Sequence, residues 1–351
     1  MAKIVMLSRH DYAGSGWRIC EAVRRHGAHN IIHVRSHGHA YGYPTDCDLS
    51  SATSRQVSEI EDMVHNADAL HFKGDDLPSQ EWDGIRLPKI SPCVITVGGS
   101  AFRRRRSLWG LSKQEQKVES KIGQQRHDIS DYRSSAEARV ALTPDLNYPS
   151  LGGVWIPAPI DVSDNEYSFT APRNEIVIGH SPSHRLKKGT DEILVPSVES
   201  LKKRGFNVRL EIIEGVSHEE AVSRKRSLHL FWDQARVGAY GNSALEAMRF
   251  GIPTMCWIDT KTIEQAHGRL DDCPIVNFDP TPESCVDALE RVLNRETLTA
   301  LSQKTMAWTK RNHSYETVGG QYSDLYDSII EQQRCKQQEP SGLRWVGSGP
   351  L

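Results

Sequence analysis

Between Phe231 and Asp259 the chain reads FWDQARVGAYGNSALEAMRFGIPTMCWID, and here residue types and spacing are best suited to chemistry. The pattern is a short strand, a glycine-bearing turn, a helix and a second buried strand. In the turn Gly238-Ala239-Tyr240-Gly241-Asn242, glycine tolerates positive φ and has no side chain, so backbone can approach a ligand closely. Asn242 or Ser243 is expected to cap the helix that follows. The start of that helix offers unpaired N–H groups and a positive dipole end, which suit a diphosphate. Glu246, one turn in, is placed to hold a ribose diol. Ser243-Ala244-Leu245-Glu246 equally fits a capping box, with Glu246 reaching back to the cap. Gly-x-Tyr-Gly before the cap and Gly251-Ile252-Pro253-Thr254 after it make a pattern longer than a cap requires.

The rest of the sequence supplies elements to position this segment. Lys3 to Ser8 reads as a buried strand, Asp11 to Gly16 as a loop bearing Gly14 and Gly16, Trp17 to His26 as a helix, and Ile31 to Val34 as the next strand. That order opens a doubly wound α/β domain. The loop lacks full Gly-x-Gly-x-x-Gly spacing, so a dinucleotide site is not indicated. Further strands are expected at Ala69 to Phe72, Cys93 to Val97 and Val140 to Thr143, and a helix at Val57 to Asn66. Trp155-Ile156-Pro157-Ala158-Pro159-Ile160-Asp161 reads as a stiff crossing, because two prolines bar it from a central strand. A second α/β unit begins at Glu175 and holds helices at Asp191 to Arg204 and His218 to Lys225, with strands at Val208 to Ile213 and Leu228 to Trp232. Helices follow at Pro282 to Leu293, Glu296 to Arg311 and Tyr315 to Ile330. The Gln-, Gly- and Pro-rich end is expected to be a flexible tail.

A chain of 351 residues fits two domains of about 150 residues each. A formal net charge of -2 argues against bulk electrostatic binding to nucleic acid or membrane. The local run Arg103-Arg104-Arg105-Arg106 is either a solvated surface run or a site for an anionic acceptor. The seven cysteines are scattered without Cys-x-x-Cys spacing, which points to reduced thiols in a cytoplasmic setting. No run approaches the ~18 apolar residues of a membrane span, so any membrane contact is expected to be peripheral. The first residues read as a strand and not as a signal peptide. Asp46-Cys47-Asp48 has Asp-x-Asp spacing but sits in a turn-like segment. His33, His37 and His39 lack a fourth ligand, so no metal is expected.

Four blocks carry a family resemblance: the first strand with its glycine loop, the WIPAPID crossing, GHSPSHRLKKGTDEIL, and GAYGNSALEAMRFGIPT. They resemble the retaining nucleotide-sugar glycosyltransferases of family four. The likeness extends to Asn312-His313-Ser314-Tyr315-Glu316 and Tyr326. It implies a GT-B fold of two facing Rossmann-like domains with an interdomain cleft. The implied division is residues 1–158 for the acceptor, 159–314 for the donor, a helix over 315–331 returning to the first domain, and a tail over 332–351. By the same resemblance Lys188 neutralises the departing diphosphate, with help from Arg185 and Lys187, and Glu246 holds the ribose. Ser183, Tyr240, Gly241, Asn242 and Ser243 join the donor site, Gly14 and Gly16 face it, and His10 and Asp11 face the cleft near the acceptor. Arg103 and Arg104 are acceptor candidates.

The chain departs from the family at three positions. Gly238 stands where the first glutamate of a pair meets the donor sugar, Ser183 stands where an arginine precedes the lysine, and Gly98 stands where a histidine often follows a strand. The expected reaction is transfer from a UDP- or GDP-sugar to a hydroxyl with retention and without metal or cofactor. The acceptor is a glycan, a lipid-linked glycan or a hydroxymethylated DNA base. A nucleotide-sugar epimerase and an inactive nucleotide-sugar-binding relative are the alternatives.

Overall fold

The computed structural model describes residues 1–38, 41–74, 80–89, 91–98, 136–147, 149, 151–162 and 167–338. Arg103 and Arg104 lie outside the described residues, as do the rest of the arginine run, His39 and residues 339–351.

Among the described residues the first half is built on β1 (Lys3–Ser8), α1 (Ser15–His26), β2 (Asn30–Arg35), β3 (Cys47–Asp48), α2 (Ser54–His65), β4 (Ala69–Lys73), a small hairpin of β5 (Glu81–Trp82) and β6 (Ile85–Arg86), β7 (Cys93–Val97), β8 (Ala138–Ala141) and β9 (Val154–Trp155). Seven of these strands form one parallel sheet in the order β3-β2-β1-β4-β7-β8-β9. After Lys3, every residue of β1 is buried, as a parallel strand covered on both faces requires. Thr53 and Gln56 close α2 with a capping box, and Arg24, Arg25 and His26 end α1 where its dipole favours cations.

The second half holds β10 (Ile176–His180), α3 (Arg185–Lys188), α4 (Val195–Lys203), β11 (Val208–Ile212), α5 (His218–Lys225), β12 (Leu230–Trp232), α6 (Asn242–Met248), β13 (Thr254–Met255), α7 (Thr260–Gln265), α8 (Pro282–Val292), α9 (Arg295–His313) and α10 (Tyr315–Gln338). Its parallel sheet runs β11-β10-β12-β13. The helix expected from Asp191 to Arg204 is α4 with a π-helical turn over Thr190–Leu194 in front of it.

Both sheets wind outward from a central strand and then return to its other side. The first does so between β1 and β4, the second between β10 and β12. Ligand crevices in such sheets lie beyond the carboxyl ends of the strands at this switch point. The loops after β1, β4, β10 and β12 therefore hold the positions for a site.

The crossing places its prolines where no ladder bond is lost, after edge strand β9. Ile160 then donates its N–H to the carbonyl of His313 at 2.8 Å and pairs with Ser314, so the outgoing and returning passages lie side by side. Beyond Ser314, α10 packs on α1. The Gly319 backbone lies so near that a Cβ there would meet the Ala22 carbonyl at 2.3 Å. Tyr326 Oη bonds His71 Nδ1 at 2.6 Å, and His71 Nε2 bonds Thr96 Oγ1 at 2.7 Å, tying the helix to β4 and β7. The expected start of the tail is corrected: α10 continues through Glu331 to Gln338. The residues EQQRCKQQ are mostly good helix formers, and the packed helix before them has already met the cost of nucleation.

Candidate functional site

A cleft of about 700 Å³ is lined from both halves. Arg9, His10, Tyr12, Ala13, Ser15, Lys73 and Gly74 come from the switch point of the first sheet. Ser183, Lys187, Lys188, Val237, Ala239, Gly241, Asn242, Ser243 and Glu246 come from the second.

Lys188 ends the short helix α3, and Gly189 in the left-handed region turns the chain away behind it. Its Nζ lies 2.9 Å from Asp233 Oδ1, just past β12. The other Asp233 oxygen accepts the Gly241 N–H at 2.8 Å, and the Lys188 carbonyl accepts the Ala235 N–H at 2.9 Å. One buried carboxylate thus fixes both the lysine and the turn that begins α6. An ammonium has three donors, so two remain for an anion in the cleft. Buried Gln234 braces the same turn: its Nε2 donates to the carbonyl of Ala239 at 2.7 Å, and its Oε1 accepts from the N–H groups of Arg236 and Val237, each at 2.6 Å.

Glu246 is buried at the cleft wall. Its Oε1 accepts from Arg18 Nη2 at 2.6 Å and from His218 Nε2 at 2.9 Å, and its Oε2 accepts from Lys225 Nζ at 2.6 Å. Burial pushes the carboxyl upward, but Lys225, His218 and Arg18 outweigh it and hold the pKa well below the usual carboxylate range. The Lys225 ammonium also donates to Ser243 Oγ at 2.9 Å.

These contacts decide between two readings of Ser-x-x-Glu. The N-cap of α6 is Gly241, with no side-chain cap bond, so the cap expected at Asn242 or Ser243 is corrected and the capping box is absent. The cations around Glu246 and Ser243 outcompete a local backbone contact for those oxygens. Tyr240 also borders the cleft, and its buried phenol bonds His313 Nε2 at 3.1 Å. Arg185 is not among the cleft residues. Its guanidinium is engaged by Asp191 and Glu214, and Glu214 itself borders the cleft.

On the opposite side, His10 lines the cleft but Asp11 lies beneath it, fully buried. Asp11 accepts the N–H groups of Gly16 at 2.7 Å and Trp17 at 3.0 Å, and Lys73 Nζ sits 2.9 Å away. Burial raises its pKa, yet Lys73, His33 and these N–H groups bring it down to about 2. Asp11 positions the loop and does not reach into the cleft. Gly14 has φ +61, and a Cβ there would meet the Tyr43 ring at 2.7 Å, so this glycine serves packing and not the close approach of a ligand. Gly238 has φ +77 and faces Asp259, whose Cβ would lie 2.9 Å from a new Cβ. A side chain at this position would therefore be strained and crowded.

Asp46 accepts from Arg24 and from the His33 N–H, and Asp48 pairs with Arg35 and caps the turn at Leu49–Ser51, so both carboxylates are structural. Among the described residues no group of three or more His, Cys, Asp or Glu gathers as a metal site, and no helix is long and apolar enough to cross a membrane. Sequence reasoning missed Asp233, Gln234, Arg18, His218 and Lys225.

No family model matches the chain, and no curated protein matches it. Solved structures do. An alpha-glucosyltransferase in complex with UDP and a 13-mer DNA containing a central A:G mismatch is 11% identical, with a TM-score of 0.57 over 94% of this chain and 100% of that one. HepE of Anabaena in complex with UDP and glucose is 13% identical, with a TM-score of 0.58 over 93% of this chain and 100% of that one. Sucrose-phosphate synthase of Thermosynechococcus elongatus is 11% identical, with a TM-score of 0.60 over 95% of this chain and 100% of that one. At this identity the likeness is one of architecture, and it extends over nearly the full length of all three. With its two parallel α/β units and the cleft between their switch points, the chain has the GT-B fold.

Proposed function

We propose that the protein is a glycosyltransferase that moves a sugar from a nucleoside diphosphate sugar to a hydroxyl acceptor, with retention and without a metal. The observation that carries this reading is Lys188, held by Asp233 beside the Gly241 turn on the wall of an interdomain cleft. The diphosphate would lie against Lys188 and the backbone N–H groups of Asn242 and Ser243. Charge grows there as the glycosidic bond breaks, so donors fixed in advance lower the barrier. Glu246 would take ribose hydroxyls. The acceptor hydroxyl would attack the anomeric carbon from the face the diphosphate leaves. Its proton passes to the leaving phosphate oxygen, so the enzyme supplies neither a nucleophile nor a general base. His10, at the opposite wall, would border the acceptor.

UDP is the first nucleotide to test, because two of the similar structures hold it. The DNA in one of them makes a modified base an acceptor worth offering beside simple glycosides. The experiment is incubation of the purified protein with UDP- and GDP-sugars, alone and with each acceptor class. Without acceptor, slow release of free sugar and nucleoside diphosphate is expected; with one acceptor class, nucleoside diphosphate should appear faster and the sugar should be found on the acceptor. An isomerised donor sugar, or tight binding with no turnover across the panel, would contradict it.

A further inference from the structure

Glu246 joins the two halves of the molecule. Arg18 reaches it from α1, and His218 and Lys225 reach it from α5. His218 also meets the Tyr43 ring of the first half edge-on, with centroids 4.9 Å apart. A carboxylate offers about four acceptor directions. Three are taken here, two on Oε1 and one on Oε2. A ribose diol brings two hydroxyl donors, so it fits only if one present partner leaves. Lys225 also borders the cleft, but only 2% of its side chain is exposed and Ser243 Oγ holds its ammonium as well at 2.9 Å. Arg18 does not line the cleft, whereas His218 does, with 29% of its side chain exposed.

We infer that the donor's ribose diol takes the place of His218 on Glu246, while Arg18 stays and holds the carboxylate from the opposite half. His218 is then a stand-in for the ligand, and Arg18 is a positioning residue through which the first half of the chain holds the carboxylate for the diol. The inference rests on the functional reading above. The buried Arg18 Nη1 has no hydrogen-bond partner among the described residues, so the arginine retains a donor at this place.

The test is calorimetric binding of UDP and GDP, each beside its 2′,3′-dideoxy analogue, to wild type, Arg18→Gln, Arg18→Lys and His218→Ala. Arg18→Gln should weaken binding of the diol ligand about tenfold, with the dideoxy analogue unchanged and Arg18→Lys partly restoring affinity. His218→Ala should tighten the diol ligand several-fold. A purely structural arginine would weaken both ligands equally, and that result overturns the inference, as does weaker diol binding by His218→Ala. The histidine variant carries the test alone if the arginine variants do not fold. Failure of the wild type to bind any nucleoside diphosphate would overturn the functional reading and this inference together. Ordinary binding with equal diol and dideoxy affinities in every variant would overturn the inference and the ribose contact at Glu246, and leave the glycosyltransferase reading standing.

Discussion

Lys188 and Asp233 form an ion pair of 2.9 Å in which the carboxylate is buried and the ammonium opens toward the cleft. The asymmetry separates their roles. Asp233 belongs to the structure, because its second oxygen holds the Gly241 N–H, and Lys188 is left to meet an anion.

Lys188→Ala should lower kcat/KM for transfer by about 10²–10³, because its role is to meet developing charge, with a stability cost besides from the buried Asp233 carboxylate left without its cation. Asp233→Ala should instead cost stability, about 1–3 kcal/mol for the orphaned Gly241 N–H and more for the unpaired lysine. Steady-state kinetics beside urea melts separate the two. Undiminished transfer by folded Lys188→Ala would mean that Lys188 is only a structural cation.

Gly238→Glu, which restores the residue of the resembling family, should lower stability by about 1–3 kcal/mol and leave turnover no higher. Its φ of +77 is costly for any side chain, and the new Cβ would crowd Asp259. Thermal melts and transfer assays check both halves of the prediction.

Two adjacent glycines of α10 should respond with opposite sign. Gly319→Ala drives a Cβ to 2.3 Å from the Ala22 carbonyl and should destabilise by about 1–3 kcal/mol. At Gly320 nothing lies within 4 Å, so Gly320→Ala should stabilise by up to about 1 kcal/mol through helix propensity. Urea midpoints of the two variants measure how closely α10 docks on α1.

Stability should fall as pH drops below about 6.5. Burial depresses His33 and His313 to about 4, and His71 and His180 to about 3. A depressed folded pKa means that the unfolded chain takes up protons first. The stabilisation is therefore complete above the ordinary histidine range and drains as pH falls toward these values. Asp11 adds a further loss between about 4 and 2. His71→Gln should flatten the pH slope of urea stability between 6 and 4 by about 1.4 kcal/mol per pH unit.

The apolar strands, the glycine turn and the proline crossing were legible because each is set by residues close in sequence. Lys188 and Glu246 stood out through local pattern. Their partners did not, because those bonds join distant parts of the chain: Arg18 and Glu246 are 228 residues apart. One signal was present. Arg18 falls between Ser15-Gly16 and Ile19-Cys20 on the buried face of α1, where an arginine without a partner would be costly. Asp233 and Gln234, polar residues directly after an apolar strand, carried a second. The cap of α6 was misread because Ser243 and Glu246 satisfy the local rule, and only the fold supplies the cations that outcompete it.

The most direct test is a crystal structure with UDP soaked into the cleft. The account predicts diphosphate oxygens at about 3 Å from Lys188 Nζ and beside the N–H groups of Asn242 and Ser243, with the ribose at Glu246. Ordered UDP elsewhere on the molecule, with Lys188 still bound only to Asp233, would contradict it.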